Sequence, residues 1–453
     1  LTGRKGTRVS NVQDLQGVLD EEARRASVPG AVVGVTYRGV ESVFVTGVSS
    51  VDTGLPVDPG TAFMIGSTSK TFAAAAALAL VEDGVLDLDR PVVEYLPDLP
   101  LADPVARKTV TLRHLLTHSA GFLGDVDFTT GWGDDALALA IAKFGDLPQN
   151  FPPGEVFSYC NAGFQLAGRV VEVVAGEPFE DVVRARLLEP LGMTESYYLP
   201  WEVLTRRHAV GHVLRDGEAA VAHTVGLTRA DSASGGLWST AGDQLKWARF
   251  FLTGEAEGEP PLSEATRDLM RAPQRKAALR FEEVGLSWLH TTHGAARLVR
   301  HGGNVSNLQL SEFVTLPEHD FAVTVLTNSA GGSALGAKIV DWCLEHLVGL
   351  PPLATPPPVR QPDIAEYLGR YQTGDLAFVV EDRAGALWAQ LVADVEGFPS
   401  PPPFEAVFVG GDAIAPAGDT RKPTARFLRN DHGEVTSIEF GGRTAKRSAT
   451  VTG

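Results

Sequence analysis

Fifteen residues from Gly349 to Asp363 contain six prolines, with Pro351-Pro352 and Pro356-Pro357-Pro358 as unbroken runs. Proline fixes φ and removes a backbone donor, so neither a helix nor a central strand continues through such a stretch. It reads as a stiff linker over 351–363 that divides the 453 residues into a large body, 1–350, and a small one, 364–453. The small body holds short strand-like runs at Tyr367–Tyr371, Ala377–Glu381, Leu387–Leu391, Ala406–Val409, Ala425–Arg429 and Ser437–Phe440. Gly, Pro and Asp separate them, a spacing that predicts a small antiparallel β-barrel or sandwich.

In the large body, Val12–Ala26 reads as an amphipathic helix, with Leu15, Val18, Leu19 and Ala23 on one face. Ala31–Tyr37 and Val40–Val48 read as strands around Arg38-Gly39. Ser67–Asp83 is an Ala-rich helix stopped by Gly84. Residues 91–287 mix helix and loop without sustained alternation and read as a mostly helical insertion. Strand patterns return at Arg297–Arg300, Leu308–Leu316 and Phe321–Thr327, and Ser333–Leu347 reads as a closing helix. The economical fold is α/β: one antiparallel sheet made from both ends of the body, flanked by helices, with a helical subdomain inserted.

Composition narrows the function. A formal charge of −17, with no basic run, argues against a nucleic-acid partner. No apolar run reaches the ~18 residues of a membrane span. Leu1–Ser10 is basic and polar without an apolar centre, so no signal peptide is expected, and the chain reads as cytoplasmic or as an exported mature form. Cys160 and Cys343 cannot make a disulfide scaffold, and two reduced, buried thiols are the expectation over a single bridge.

Three short strings carry chemistry. In Gly66-Ser67-Thr68-Ser69-Lys70, a turn enters the Ala-rich helix and places Ser67 and Lys70 on one face. The helix N-terminus favours an oxyanion there, and a buried amine can take the hydroxyl proton. The plain alternative is a cap followed by a solvated lysine. In Tyr159-Cys160-Asn161, a phenol beside a cation can relay a proton, and an amide can hold a carbonyl; alone, the string is a loop before a helix Ala162–Val174. In His301-Gly302-Gly303-Asn304, at the end of a predicted strand, glycines admit a substrate against the backbone; alone, it is a tight turn with an exposed histidine.

Together, in this order, the three strings resemble the serine β-lactamase and penicillin-binding superfamily, in its class C β-lactamase-like branch. Ser67–Lys70 matches S-x-x-K, Tyr159–Asn161 matches Tyr-x-Asn, and His301–Gly303 matches Lys- or His-x-Gly. Leu115–Gly121, Glu189–Met193 and Gly235–Thr240 also look like this family, and the resemblance covers about residues 11 to 348. It implies that Ser67 attacks a carbonyl, that Lys70 and Tyr159 relay protons, and that Asn161 positions the substrate amide. It implies an oxyanion hole from the Ser67 and Asn304 N–H groups, beside Gly302 and Gly303, with Trp238 near the substrate. His301 replaces the lysine of true class C β-lactamases. A neutral imidazole is a weaker anchor for a carboxylate, so β-lactamase activity is expected to be residual at most. The C-terminal domain is similar to a lipocalin-like tail. Its Arg443 and Arg447 are read as solvated surface arginines, with reach into the site as the alternative.

The resulting expectation is a serine hydrolase that cleaves an ester, amide or peptide bond of a small-molecule or peptide acyl substrate: an esterase, amidase or D-aminopeptidase-like enzyme. A penicillin-binding-type peptide cyclase or thioesterase would use the same residues, with exclusion of water by Trp238 and the tail favouring it. A non-catalytic acyl-binding homologue is disfavoured by the intact Ser67, Lys70 and Tyr159. No G-x-S-x-G, H-E-x-x-H, P-loop or dinucleotide fingerprint occurs, so no cofactor and no metal is expected. His114 and His118 lie four apart but have no evident third ligand and read as core or capping residues; His208 with His212 and His290 with His293 read the same way.

Overall fold

The computed structural model describes residues 12–448, apart from 127, 225, 280, 354–358, 360–361, 394–399 and 421–422. Leu1–Ser10 and about half of the proline-rich segment, 354–358 and 360–361, lie outside the described residues.

The large body is built on a nine-stranded antiparallel sheet whose middle joins the two ends of the body. Gly30–Tyr37 pairs with Val40–Ser50 on one side and with Phe321–Thr327 on the other, in the register Ala31↔Thr327. The sheet continues through Gln309–Leu316, Ala296–Val305 and Leu289–His293. Gly30–Tyr37 and Phe321–Thr327 are buried almost throughout, because helices cover both sheet faces. Leu15–Arg25 and Gly332–Cys343 pack on one face around Leu19, Val33, Val323 and Ile339.

The other face carries the larger core, centred on the helix Ser69–Glu82. Its residues Phe72–Leu78 are all buried. Five consecutive alanines, Ala73–Ala77, leave room for the helix Asn161–Ala175 and the turn Ser232–Gly235 to approach closely. Phe72 stacks on Trp247 at 4.0 Å between ring centroids.

One expected boundary and one expected exposure differ. The strand expected to end at Arg300 runs on through His301-Gly302-Gly303-Asn304 to Val305, so this string is strand and not turn. His301 is buried, not exposed. The extension has a steric basis, because glycine at 303 lets the strand lie against the Ile65 carbonyl.

The C-terminal domain is a closed antiparallel barrel of eight strands from Gly369–Thr373 to Arg443–Arg447. Two of these strands, Ala413–Pro416 and Arg443–Arg447, lack a strand-like pattern in the sequence. Tyr367, Tyr371, Phe408 and Phe427 cluster in the barrel core. The barrel is tied to the large body through its last hairpin: Tyr159 N–H donates to Gly442 O at 2.9 Å, and Thr444 Oγ1 donates to Phe157 O at 2.8 Å.

Candidate active site

Ser67 sits in a single 3₁₀ turn, Gly66–Thr68, that runs directly into the Ala-rich helix. The turn is clamped to the sheet. Ser311 Oγ donates to Ile65 O at 2.7 Å and shares a hydrogen bond of 3.0 Å with Thr68 Oγ1. Gly66 has φ +53°, and a Cβ there would stand 2.9 Å from the Asn304 nitrogen. Glycine therefore lets the strand bearing Asn304 come alongside the Ser67 turn.

The i, i+3 spacing does what the helix geometry requires. Lys70 Nζ donates to Ser67 Oγ at 3.1 Å and to Ser234 O at 2.5 Å. Lys70 is fully buried, with its ammonium 5.0 Å from the Tyr159 ring centroid and 5.6 Å from that of Phe164. Burial, aided by the positive charge of Arg443, brings its pKa down to about 7. Near neutral pH a large share of Lys70 is thus a free amine able to accept a proton.

Tyr159 is held from several sides. Its ring stacks on His118 at 4.2 Å and 24° and lies 6.2 Å from the His301 ring. On the barrel side, the Arg443 guanidinium stands 4.9 Å from the ring centroid. His118 is completely buried, and its Nδ1 accepts the Cys160 N–H at 3.0 Å. Burial and the nearby Lys70 charge hold its pKa far below the ordinary histidine value, so it is neutral. His118 is thus a core residue beneath the tyrosine. Cys160 caps the following helix, with Sγ accepting Gly163 N–H at 3.2 Å, and burial pushes its thiol up to about 12. Cys160 and Cys343 are both free and buried.

Arg443 reaches the site, contrary to its reading as a solvated surface residue. It forms a two-pronged ion pair with Asp125, with Nε–Oδ2 at 2.8 Å and Nη2–Oδ1 at 2.9 Å. Burial opposes both charges, but their mutual attraction outweighs it. Arg443 is held firmly protonated, and the Asp125 carboxyl titrates below its usual range. Asn161 Nδ2 also donates to Asp125 Oδ1, at 2.9 Å, which fixes the orientation of its amide. Arg447 points elsewhere, toward the carbonyls of Leu368 and Val435.

These groups surround a cleft of about 330 Å³. Ser67, Tyr159, Asn161, His301, Gly302, Gly303 and Asn304 all line it, and so does Arg443. Lys70 lies beneath Ser67, out of contact with solvent. His301 Nδ1 lies 2.8 Å from Gly302 O, and the Asn304 amide is tied to Asn307. Trp238 is not brought to this cleft: it pairs with Met64 and lines a separate cavity. Sequence reasoning missed Asp125 and His118 as parts of the site and held the reach of Arg443 only as an alternative. Asp125 and His118 carry no pattern of their own, and Arg443 lies on one of the strands that the sequence pattern conceals.

The Beta-lactamase family model matches residues 15–343. Penicillin-binding protein 4 of Amycolatopsis lactamdurans is 32% identical over 358 residues, spanning 76% of this chain and 93% of its own. Among solved structures, SurE aligns with a TM-score of 0.77 and 28% identity over 96% of this chain and 99% of its own, and it has also been solved with D-Leu. An octameric penicillin-binding protein homologue from Pyrococcus abyssi aligns with a TM-score of 0.67 and 26% identity over 96% of this chain and 100% of its own. The fold, the clamped serine turn with its buried lysine, and the family match together show that this chain belongs to the Beta-lactamase family of serine hydrolases.

Proposed function

We propose that the protein is a serine acyl hydrolase that cleaves ester, amide or peptide bonds through an acyl-enzyme on Ser67. The observation that carries this is the Ser67 Oγ–Lys70 Nζ hydrogen bond of 3.1 Å, with the lysine pKa near 7. Neutral Lys70 takes the Ser67 proton as Oγ attacks the carbonyl carbon. The N–H groups of Ser67 and Asn304 stabilise the oxyanion. Collapse of the tetrahedral adduct breaks the bond to the leaving oxygen or nitrogen. Tyr159, with Lys70 behind it, returns a proton to the leaving group and then takes one from the water that attacks the ester. His301 lines the cleft beside Tyr159, and Arg443 supplies a fixed cation for a substrate with an anionic or strongly polar end. SurE, solved with D-Leu, makes D-configured amino-acid esters and amides the first substrates to test.

Incubation with an activated acyl ester, followed by intact-mass measurement, tests the reading. A single acyl adduct is expected on the wild type, persistent in Tyr159→Phe and lost in Ser67→Ala. No adduct on wild type or Tyr159→Phe would sink it.

A second reading has its own support. The barrel hairpin packs against Tyr159 by the Gly442 and Arg443 contacts, and in this reading it keeps water from the acyl-enzyme. In that case an amine of the acyl chain itself intercepts the ester, and the product is a ring. Turnover of a linear peptide thioester mainly to a macrocycle, not to the acid, would favour it.

A further inference from the structure

The Ser67 cleft has two unlike ends. Under the proposed mechanism Tyr159 returns a proton to the leaving atom, so that atom lies between Ser67 Oγ and the phenol. Tyr159 in turn lies against His301 and Arg443. The N–H assigned to the oxyanion belongs to Asn304, three residues along the strand from His301, or roughly 10 Å. A leaving group therefore runs away from Asn304, past His301 and toward Arg300. That end of the cleft is lined by the apolar Phe281 and Leu289 and by the charged Arg300 and Glu312.

Arg300 and Gly302 share one face of their strand, and Glu312 stands opposite Gly302 in the neighbouring strand. Arg300 Nη2 donates to Glu312 Oε2 at 2.6 Å, so the pair spans the position where residue 302 has no side chain. A Cβ at 302 would fall 3.4 Å from Glu312 Oε2, and a larger side chain would cover the pair. As it stands, the Arg300 and Glu312 side chains are 21% and 12% exposed, which leaves the pair partly desolvated but within reach from the cleft it lines. The other N–H groups of Arg300 meet no acceptor among the described residues.

Charge decides what this end accepts. The charged side chains lining the cleft are Arg300, Arg443 and Glu312, two cations against one anion, although the chain as a whole carries −17. Arg443 has already given two N–H groups to Asp125 and one to Gly441 O. Arg300 is held in place by Glu312 and keeps donors to spare. We infer that Arg300 is a specificity-determining residue for the leaving group. It receives a carboxylate on the departing alcohol or amine, whose apolar side chain packs on Phe281 and Leu289, as in a hydroxy acid or an amino acid. This deepens the proposed function and rests on Ser67 as the nucleophile and Tyr159 as the proton donor to the leaving atom.

The test compares two esters of N-acetyl-D-leucine. One has phenyllactic acid as the leaving alcohol, and the other has the same alcohol with its carboxyl as a primary amide. Acyl group, broken bond and ring are the same, and the charge differs. In the wild type, kcat/KM is expected to be about tenfold higher for the carboxylate, the lower end for a hydrogen bond to a charged group. Arg300→Met is expected to bring the ratio close to one. The double variant Arg300→Met with Glu312→Gln is expected to do the same without leaving a carboxylate unpaired, so the loss stays readable if the single variant unfolds. A wild-type ratio near one would overturn the assignment, and that measurement needs no variant. A ratio kept in the double variant, with its melting temperature retained, would also overturn it and move the anchor to Arg443. So would an enzyme that forms the Ser67 adduct with an activated ester yet cleaves neither phenyllactyl ester. Absence of any adduct would instead overturn the nucleophile, and the anchor with it.

Discussion

Lys70 is an amine buried where an ammonium is costly, and its pKa near 7 couples activity to pH. The free amine is the active form, so kcat/KM for acylation should rise with pH through about 7 and then level off. Arg443 lowers the lysine pKa and Asp125 raises it. Replacing Arg443 by Met removes the lowering charge and leaves Asp125 unopposed. Both changes favour the ammonium, so the acid limb should move to higher pH. Acylation at pH 7 should then fall, by about fivefold for a limb displaced by one full pH interval. An unmoved limb in a pH–rate profile would contradict this. His118 acts through Tyr159, and its substitution separates two roles. His118→Leu loses the acceptor for Cys160 N–H and should cost about 1–3 kcal/mol of stability in denaturant melts. His118→Asn, which retains an acceptor, should recover stability but not kcat, because the ring stacked on Tyr159 is still missing.

At the scale of elements, the site depends on a strand fitting against a turn. Gly302 and Gly303 are adjacent but unequal. A Cβ at 303 would fall 1.9 Å from Ile65 O, whereas at 302 the nearest atoms are Ser311 O at 3.2 Å and Glu312 Oε2 at 3.4 Å. Gly303→Ala should therefore displace the serine turn, abolish adduct formation and lower the melting temperature by several degrees. Gly302→Ala should keep most of both. Equal effects in thermal melts and acylation assays would mean that the strand does not position Ser67. The local sequence made the serine helix and the central strands legible, because periodicity and caps act over a few residues. It hid the strand Arg443–Arg447, whose Arg-Thr-Ala-Lys-Arg text buries only Thr444 and Ala445. A strand so polar is defined by its ladder to Val435–Phe440 and Gly369–Thr373, and those partners are not visible locally.

For the whole molecule, the consequence is that two bodies share one site. Asp125 and Asn161 belong to the large body and Arg443 to the barrel, and the three form one hydrogen-bonded unit. Above the acid limb, where Lys70 is a free amine in every variant, Asp125→Asn and Arg443→Met should each reduce kcat/KM, and the double variant should be no worse than the more damaged single one. Additive losses would mean that the pair does not act together. The antiparallel sheet made from both ends of the large body and the barrel-or-sandwich class of the tail were legible in the pattern, and the S-x-x-K, Tyr-x-Asn and His-x-Gly strings through their resemblance to a known family. These are patterns of spacing, and spacing along a chain is preserved on folding. It took the folded chain to bring Arg443 into the cleft, to set His118 beneath Tyr159 and to turn Trp238 toward a different cavity. Each of these depends on contacts between residues far apart in the chain, where burial and charge are set by what the fold brings alongside. The pKa of Lys70 belongs to the same class: the sequence places it three residues after Ser67, but desolvation and the charge of Arg443 lower its pKa.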